Sequence, residues 1–192
     1  TLGVIGTGNI GQHVIRMAKG FEMNVIAFDV VKNASLAKKL GFKYVSFDNL
    51  LKKSDILTLH VPYNKHTHHM INKKNINKIK KGALIINTSR GANIDTDALY
   101  HALRNKSLGG AGLDVLEEEC FVKDDKEVMS KHFPKKCNLK LIIENHRLAK
   151  MENVIITPHN AFNSIEALQI ILETTIENIK NFKKGKLNNS VY

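Results

Sequence analysis

The chain has 192 residues, 43% apolar and 24% charged, which is the balance of one globular domain, or of one domain with a small appendage, and not of a disordered or fibrous protein. No apolar run approaches the roughly 18 residues of a membrane-spanning helix, so an integral membrane protein is excluded. The net charge of +11 comes mainly from lysines spread along the chain without interleaved aromatic residues, so we expect a solvated surface and no nucleic-acid binding; the four arginines are Arg16, Arg90, Arg104 and Arg147.

Short apolar runs alternate with helical spacings from the first residues onward. Strands are predicted at residues 2–5, 24–28, 55–59, 83–87, 110–114 and 154–156. Helices are predicted at residues 10–19, 35–40, 72–80, 95–105 and 164–182. Strands that are apolar throughout and alternate with helices are typical of an α/β fold, a doubly wound parallel sheet covered on both faces. Residues 117–151 break this rhythm and are predicted to form a long charged excursion between two strands.

A glycine-rich loop joins the first predicted strand to the first predicted helix. The segment from Gly6 to Gly11 matches G-x-G-x-x-G in the strand–loop–helix context that a dinucleotide-binding motif requires. Gly6 permits a tight turn, Gly8 lets a pyrophosphate approach the backbone, and Gly11 lets the helix pack closely. The free N–H groups and the dipole of the helix N-terminus favour phosphates. The pattern therefore predicts a Rossmann-type dinucleotide-binding domain.

An acidic residue, Asp29, ends the second predicted strand, eighteen residues after Gly11. A carboxylate at this point accepts hydrogen bonds from the hydroxyls of the adenosine ribose and repels the additional phosphate of NADP. The cofactor predicted from these residues is therefore NAD. Lys32 could weaken that repulsion, so strict selectivity for NAD over NADP is left open.

Three polar groups follow three different predicted strands, at the edge where ligands bind in open α/β sheets. Arg90 follows the fourth predicted strand, Glu119 ends an acidic run after the fifth, and His159 comes after the sixth. Each has an ordinary structural explanation by itself, as an ion pair, an exposed acid or a cap. Together they are what hydride transfer to a keto acid needs: a guanidinium binds a carboxylate, an imidazole exchanges the proton, and an acid orients the imidazole.

Six sequence blocks run in order along nearly the whole chain. They are Gly-Thr-Gly-Asn-Ile-Gly at 6–11, Asp29, His-Val-Pro at 60–62, Asn-Thr-Ser-Arg-Gly at 87–91, Leu-Asp-Val-Leu-Glu-Glu-Glu at 113–119 and Thr-Pro-His-Asn-Ala-Phe at 157–162. In this order they resemble the nucleotide-binding part of the D-isomer-specific 2-hydroxyacid dehydrogenases, in particular the D-lactate dehydrogenase branch. The long stretch 120–151 is similar to the lactate and 2-hydroxyisocaproate branches, whereas Asn163 departs from the aromatic residue that often stands there.

The resemblance implies roles for individual residues. Arg90 would bind the substrate carboxylate, His159 would be the acid–base residue, and Glu119 would be its partner. Glu119 is chosen within its acidic run because it stands five residues beyond Asp114, as the family's acid does. Phe162 would face the substrate side chain. The NAD site implied, besides the glycine loop, consists of Asn9, Ile10, Asp29, Val61, Pro62, Thr67, Thr88, Ser89, Arg90 and Asp114.

Two structural parts are expected from the resemblance. Residues 1–163 form the NAD-binding domain, and residues 164–192 form a C-terminal helix and tail that belong with a substrate domain. In the family that second domain comes mainly from residues before the first strand found here, and this chain does not begin with Met. We therefore expect a piece of a longer protein, which binds NAD but lacks much of the substrate cleft.

The implied activity is an NAD-dependent oxidoreductase that converts pyruvate and NADH to D-lactate and NAD. Two alternatives remain open: a dehydrogenase for bulkier 2-keto acids such as 2-ketoisocaproate, and an NAD-sensing binding module similar to corepressors of this fold. The resemblance also implies a homodimer formed through the NAD-binding domain. Cys120 and Cys137 lie far apart and outside any metal-binding spacing, which favours unpaired thiols in the cytoplasm and no disulfide.

A histidine-rich loop and the acidic run raise the question of a metal site. His66, His68 and His69 follow Pro62 closely, but no carboxylate or cysteine stands at ligand spacing nearby in the sequence. We therefore predict an exposed polar loop there, and a solvated acidic turn with one functional member at residues 117–119. No metal is predicted.

Overall fold

The computed structural model describes residues 1–117, 138–187 and 189. The chain divides into two compact units, Thr1–Pro158 and His159–Tyr192. The first unit holds the whole β-sheet, and the second holds one long helix. The assignment of residues 164–192 to a substrate domain stays a prediction.

Seven strands of the first unit form one parallel sheet. They are β1 (Leu2–Ile5), β2 (Val25–Phe28), β3 (Lys43–Tyr44), β4 (Ile56–Leu59), β5 (Ala83–Asn87), β6 (Leu108–Leu113) and β7 (Val154–Ile156). The helices among the described residues of this unit are α1 (Asn9–Gly20), α2 (Ala34–Leu40), α3 (Phe47–Lys53), α4 (Thr96–Arg104) and α5 (Leu139–Ala149). The strand order is β3-β2-β1-β4-β5-β6-β7, and every pair is parallel. The α/β doubly wound fold predicted from the sequence is confirmed.

Alternate residues of the strands supply the cores on the two faces of the sheet. On one face Val4 packs in a cluster with Ile15 of α1. On the other face Ile5 belongs to a larger cluster that includes Leu51 of α3 and Leu103 of α4. The two neighbouring residues of β1 therefore bury their side chains against helices on opposite sides, and this burial is the main favourable term in folding.

The strand order reverses direction at β1. The chain passes from β1 to β2 on one side and reaches β4 on the other, and Ile5 at the end of β1 is in register with both Phe28 and Leu59. The carboxyl ends of three strands therefore meet at one level. In open α/β sheets a crevice forms at this switch point, and ligands bind there. The glycine loop begins directly above it.

The helix predicted over residues 72–80 is wrong, because this segment contains only a 3₁₀ turn at Ile76–Lys78. The side chain of Asn75 accepts a hydrogen bond from the backbone N–H of Asn72 (2.8 Å), and that of Asn72 accepts one from Lys74 (2.9 Å). Asparagine side chains that bond to nearby backbone groups compete with the helical ladder. Apolar spacing alone does not reveal this competition.

Three further elements, β3, α3 and α5, were not predicted from the sequence. Both helices begin at a capping side chain: Ser46 accepts from the N–H of Asn49 before α3, and Asn138 accepts from that of Lys140 before α5. The charged excursion between residues 117 and 151 thus includes a helix, which buries Leu148 in the larger core. The edge strand β3 is only two residues long, too short for a periodic signal.

The second unit contains helix α6 (Ile165–Lys183), whose N-terminus is capped by the hydroxyl of Ser164 accepting from the N–H of Ala167 (3.2 Å). Its start and end agree with the predicted helix within one residue. Among the helices of the described residues, none is long and apolar enough to cross a membrane.

Candidate functional site

The glycine loop leaves β1 through a turn that glycine alone adopts readily. Gly6 has φ +92°, and a Cβ placed there would lie 2.6 Å from the carbonyl oxygen of His60. A Cβ at Gly11 would lie 2.0 Å from the carbonyl oxygen of Gly6. Helix α1 can therefore pack against the loop only because Gly11 lacks a side chain. A Cβ at Gly8 would meet nothing within 4 Å, so the backbone there is open to a ligand.

The N-terminus of α1 is suited to an anion. Gly8 is its N-cap and supplies no capping side chain, and the first turn contains no acidic residue. Gly8, Asn9 and Ile10 are all exposed. The first N–H groups of a helix lack acceptors within the helix, and together with the macrodipole they favour a phosphate. The residues present thus fit the pyrophosphate of a dinucleotide.

Asp29 follows β2 and is held against the glycine loop. Its Oδ2 accepts hydrogen bonds from the N–H (2.7 Å) and the hydroxyl (2.9 Å) of Thr7, and its Oδ1 accepts one from the N–H of Val31 (3.1 Å). Partial burial raises the pKa of Asp29, but these bonds and the N–H of Val30 outweigh that effect and hold the pKa below its ordinary value. The ionised carboxylate is a ready acceptor for ribose hydroxyls.

The loop after β4 lies beside the glycine turn and is closed by Thr67. The hydroxyl of Thr67 donates to the carbonyl oxygen of Pro62 (2.7 Å) and accepts from the N–H of Asn64 (2.8 Å). Val61 starts this loop, and its Cγ1 would lie 2.8 Å from a Cβ on Gly6. Val61, Pro62 and Thr67, three of the predicted NAD contacts, therefore belong to one short, hydrogen-bonded loop.

His60, the last residue before that loop, is a neutral side chain. Burial lowers the pKa of His60 to about 4. Its Nε2 is hydrogen-bonded to the hydroxyl of Thr58 (3.0 Å), and its backbone N–H donates to the carbonyl oxygen of Ile5. His60 thus joins the ends of β1 and β4 next to the glycine turn.

Two asparagines hold the backbone of the turn that carries Arg90. Asn87 donates from Nδ2 to the carbonyl oxygen of Arg90 (2.9 Å), and its Oδ1 accepts from the N–H (3.0 Å) and hydroxyl (2.7 Å) of Ser89. Asn93 donates from Nδ2 to the hydroxyl oxygen of Ser89 (3.0 Å) and to the carbonyl oxygen of Val61 (3.3 Å). This network joins the arginine turn to the loop after β4.

The guanidinium of Arg90 is exposed, and one of its nitrogens donates to the carbonyl oxygen of Ser89 (2.6 Å). Within residues 1–117, 138–187 and 189, no carboxylate forms a salt bridge with it. Thr88 and Ser89, which precede it, are half-buried. Arg90 can therefore present its guanidinium to the carboxylate of a small molecule, which it would bind through two parallel hydrogen bonds.

Asp114 follows β6 and connects to the end of β7. The hydroxyl of Thr157 donates to its Oδ1 (2.5 Å), and the backbone N–H of Thr157 donates to the carbonyl oxygen of Leu113 (3.0 Å). Asp114 itself is buried. This contact holds the end of β7 just before Pro158.

The solvated acidic turn predicted at residues 117–119 is wrong for Glu117, which is buried. Its Oε1 pairs with Nε2 of His69 (2.6 Å), and its Oε2 accepts from the hydroxyl of Thr96 (2.9 Å), the first residue of α4. The exposed loop predicted for the three histidines holds for His66 and His68, but His69 is partly buried through this pair. A carboxylate 48 residues away in sequence therefore meets the histidine loop, a contact that local spacing does not reveal.

The other predicted reactive residues are described less completely. Glu119 lies outside the described residues, as do Glu118, Cys120 and Cys137, so the role of Glu119 stays a prediction. His159 begins the second unit with φ +50°, and its ring centroid lies 6.4 Å from that of Phe162 in an edge-on contact. The pairing of His159 with Glu119 and its action with Arg90 also stay predictions.

Sequence reasoning missed several polar residues that support this site. Asn87 and Asn93 are almost fully buried, and Tyr44 bonds through its hydroxyl to that of Thr7 (2.9 Å). One signal was present for Asn87: an amide at the end of an apolar strand, just before a turn, is typical of a side chain that bonds to the following backbone. No comparable signal marks Tyr44, whose partner Thr7 lies 37 residues away.

Comparison with known proteins places these features in one family context. Residues 1–161 match the family described as D-isomer specific 2-hydroxyacid dehydrogenase, NAD binding domain. The chain is 43% identical over 188 residues to the D-specific alpha-keto acid dehydrogenase of Enterococcus faecalis, covering 96% of this chain and 53% of that protein. It is 38% identical over 187 residues to the glyoxylate reductase of Korarchaeum cryptofilum, covering 97% and 50%.

A solved structure agrees with the same fold. The D-lactate dehydrogenase of Aquifex aeolicus, complexed with NAD and lactic acid, superposes with a TM-score of 0.84 at 44% sequence identity, covering 96% of this chain and 53% of that chain. The present chain thus spans about half the length of the curated relatives it matches.

Proposed function

This chain belongs to the D-isomer specific 2-hydroxyacid dehydrogenase family, and on that premise we propose that the protein reduces a short 2-keto acid, pyruvate first among them, to the D-2-hydroxy acid with NADH. The cofactor of this domain is NAD. The observation that carries the choice of substrate class is Arg90, an exposed guanidinium held on a rigid turn at the carboxyl edge of the sheet. It suits a ligand with one carboxylate.

The chain's own residues divide the work of the proposed reaction. The glycine loop and the uncapped start of α1 bind the pyrophosphate, and Asp29 binds the adenosine ribose. Arg90 holds the substrate carboxylate and polarises the neighbouring keto group. When bound, reduced NAD supplies a hydride to C2 of the keto acid. His159 donates the proton to the carbonyl oxygen, and Glu119 orients the imidazole and stabilises its charged form.

The proposed selectivity for NAD over NADP rests on Asp29. Its carboxylate is ionised and held against Thr7, so a phosphate on the adenosine ribose would meet a fixed negative charge. Lys32 follows closely in sequence, but its side chain is exposed and forms part of a lysine-rich surface. We expect NADH to bind at least about tenfold more tightly than NADPH.

A homodimer in the cytoplasm completes the proposal. Helix α1 exposes Ile10 (65%) and Met17 (59%), which lie seven residues apart on one helix face, and the C-cap residue Phe21 that follows the helix is 82% exposed, so together they form an exposed apolar surface. A second copy of this domain would cover that surface. Sedimentation of the protein with and without the change Phe21→Asp tests it, and a protein that stays monomeric in both cases contradicts it.

The experiment that tests the activity is NADH oxidation by the full-length protein across pyruvate, glyoxylate and 2-ketoisocaproate. We expect the highest kcat/KM with pyruvate and a product with the D configuration. A higher kcat/KM with 2-ketoisocaproate would support the proposed reaction but would show that the substrate is a bulkier keto acid than pyruvate. Binding of NADH without turnover of any keto acid would contradict an enzyme and favour a nucleotide-sensing protein.

A further inference from the structure

The hydrogen bonds of Asp29 leave little room for a ribose. Three hydrogen bonds already occupy its two oxygens, from the N–H and hydroxyl of Thr7 to Oδ2 and from the N–H of Val31 to Oδ1, and the N–H of Val30 also attracts the carboxylate. A carboxylate offers about four acceptor positions. At most one position is therefore left, whereas the 2′- and 3′-hydroxyls of an adenosine ribose bring two donors. One of the three present donors has to withdraw when the ribose binds.

The hydroxyl of Thr7 is the donor that can withdraw. The two backbone N–H groups are fixed by the chain, but a hydroxyl proton rotates about its C–O bond. Thr7 is buried, so water is not available to replace a lost acceptor. A buried hydroxyl without an acceptor is costly, so withdrawal requires a second protein acceptor within reach.

Tyr44 supplies that acceptor. Its hydroxyl oxygen lies 2.9 Å from Oγ1 of Thr7, at the end of the edge strand β3. Because the single proton of Thr7 goes to Asp29 without ligand, the bond between the two hydroxyls is then donated by Tyr44. If the Thr7 proton turns to the oxygen of Tyr44, Oδ2 of Asp29 gains a free position.

We propose that Tyr44 is a positioning residue of the nucleotide site, whose hydroxyl accepts the proton of Thr7 so that Asp29 can bind both hydroxyls of the adenosine ribose. This inference rests on the proposed NAD site. It adds that ribose binding reverses the direction of the hydrogen bond between Thr7 and Tyr44 and frees a position on Asp29. No covalent bond changes: the Thr7 proton turns from Asp29 to the oxygen of Tyr44, and the proton of the half-buried Tyr44 turns away from Thr7 toward water.

A double-mutant cycle on the full-length protein tests the reversal, with the dissociation constant of NADH measured by nucleotide fluorescence. Tyr44→Phe keeps the ring packed against Phe42 and removes only the hydroxyl. We expect the NADH dissociation constant to rise about fivefold, the effect of one neutral hydrogen bond. In a Thr7→Val background, which has no proton to redirect, we expect Tyr44→Phe to change it less than about twofold.

Ribose analogues of NADH separate a specific loss of one hydrogen bond from general damage to the fold, because such damage would weaken the binding of every analogue. We expect the effect of Tyr44→Phe to disappear for NADH that lacks the 2′- or the 3′-hydroxyl of the adenosine ribose, whichever occupies Oδ2 of Asp29. Tyr100→Phe on α4, also a half-buried tyrosine, is the matched control and should leave every dissociation constant unchanged. Equal thermal unfolding midpoints show that both variants are folded.

The possible outcomes are distinct. The role of Tyr44 is overturned by an equal loss from Tyr44→Phe with and without the Thr7→Val change, by an unchanged affinity, or by a full fivefold loss toward both deoxy analogues. Failure of the unmodified protein to bind NADH at all overturns the proposed nucleotide site together with this inference.

Discussion

The two halves of the carboxyl edge of the sheet differ in the sequence separation between the residues that form hydrogen bonds with each other. In the half that would hold the nucleotide, the glycine loop and Asp29 come from one β–α–β unit, and Thr7 and Asp29 are 22 residues apart. In the half that would hold the substrate together with the nicotinamide end of NAD, Thr157 bonds to Asp114 over 43 residues and His69 to Glu117 over 48. The glycine loop and Asp29 are thus a local construction, with a more distant contact from Tyr44 to Thr7, whereas the second half depends mainly on distant segments meeting.

This difference suggests that nucleotide binding and the proposed reaction depend on different parts of the molecule. The glycine loop and Asp29 are hydrogen-bonded to each other within the first unit, so we expect dinucleotide binding to depend mainly on that unit. The residues proposed for the reaction are Arg90 in the first unit, His159 in the second, and Glu119 outside the described residues. Changes in the two halves are therefore expected to affect different measured quantities.

The largest effect is expected at Arg90 and would test the separation directly. Arg90→Ala should lower kcat/KM for pyruvate at least about 10³-fold, since a charged bidentate bond to the substrate is lost, while the NADH dissociation constant changes less than about twofold. Steady-state kinetics and NADH titration of the full-length protein measure both. Arg104→Ala, also exposed, is the control. An equal loss of NADH binding would show that Arg90 maintains the fold instead.

Two glycines provide a matched pair, one in each half. A Cβ at Gly11 would lie 2.0 Å from the carbonyl oxygen of Gly6, and one at Gly91 would lie 2.0 Å from the backbone of Leu116. Each change to alanine should cost about 3 kcal/mol of stability, because backbone atoms have to move. Gly11→Ala should mainly weaken NADH binding, and Gly91→Ala should mainly lower turnover.

Denaturant unfolding, NADH titration and turnover of the same samples test this pair. Gly20→Ala, where a Cβ meets nothing within 4 Å, should stay within about 1 kcal/mol of the unmodified protein or be slightly stabilised. If Gly11→Ala and Gly91→Ala affect affinity and turnover alike, the two halves are not independent.

The lowered pKa of His60 predicts that the free energy of unfolding decreases in acid. Its folded pKa is lowered to about 4, below the ordinary value near 6.5 in an unfolded chain, so the unfolded state binds the extra proton between these values. The stabilisation from neutral His60 is therefore complete above about pH 6.5 and lost as the pH falls toward 4. Because the side chain is partly exposed, we expect a loss of about 2 kcal/mol.

Unfolding free energies between about pH 7.5 and 4.5 measure this loss. His60→Gln should flatten the decline, whereas His13→Gln on the exposed surface of α1 should leave it unchanged. A His60→Gln protein with the same decline would assign the acid sensitivity to other groups.

The smallest effect is expected at Asp29. Asp29→Asn keeps the shape but removes the charge, so NADH should bind about tenfold more weakly and NADPH about as well as before or better. Titration of the variant with both nucleotides measures the ratio. A parallel loss for NADH and NADPH would mean that Asp29 supports the loop through Thr7 without selecting the cofactor.

The fold could be predicted in large part because its signals are local. Apolar runs predicted six of the seven strands found in the described residues, and the helices predicted at residues 95–105 and 164–182 agree with α4 and α6 within one residue at each end. The helix over residues 72–80 was wrong because the side chains of Asn72 and Asn75 bond to the backbone there. Strand β3 was missed because two residues carry no period.

For the site, the sequence by itself determined which residue types stand at each strand end: a glycine loop, an acid, an arginine and a histidine, in an order set by the alternation of strands and helices. It did so because a parallel sheet brings the carboxyl ends of its strands to one edge whatever the loops contain. Only the tertiary structure decided that Glu117 is buried against His69 and Thr96, that Asn93 joins the arginine turn to Val61, and that Tyr44 lies beside Thr7. Such contacts depend on how loops of different length fold back over the sheet. No periodic pattern in the sequence shows which distant residues will meet.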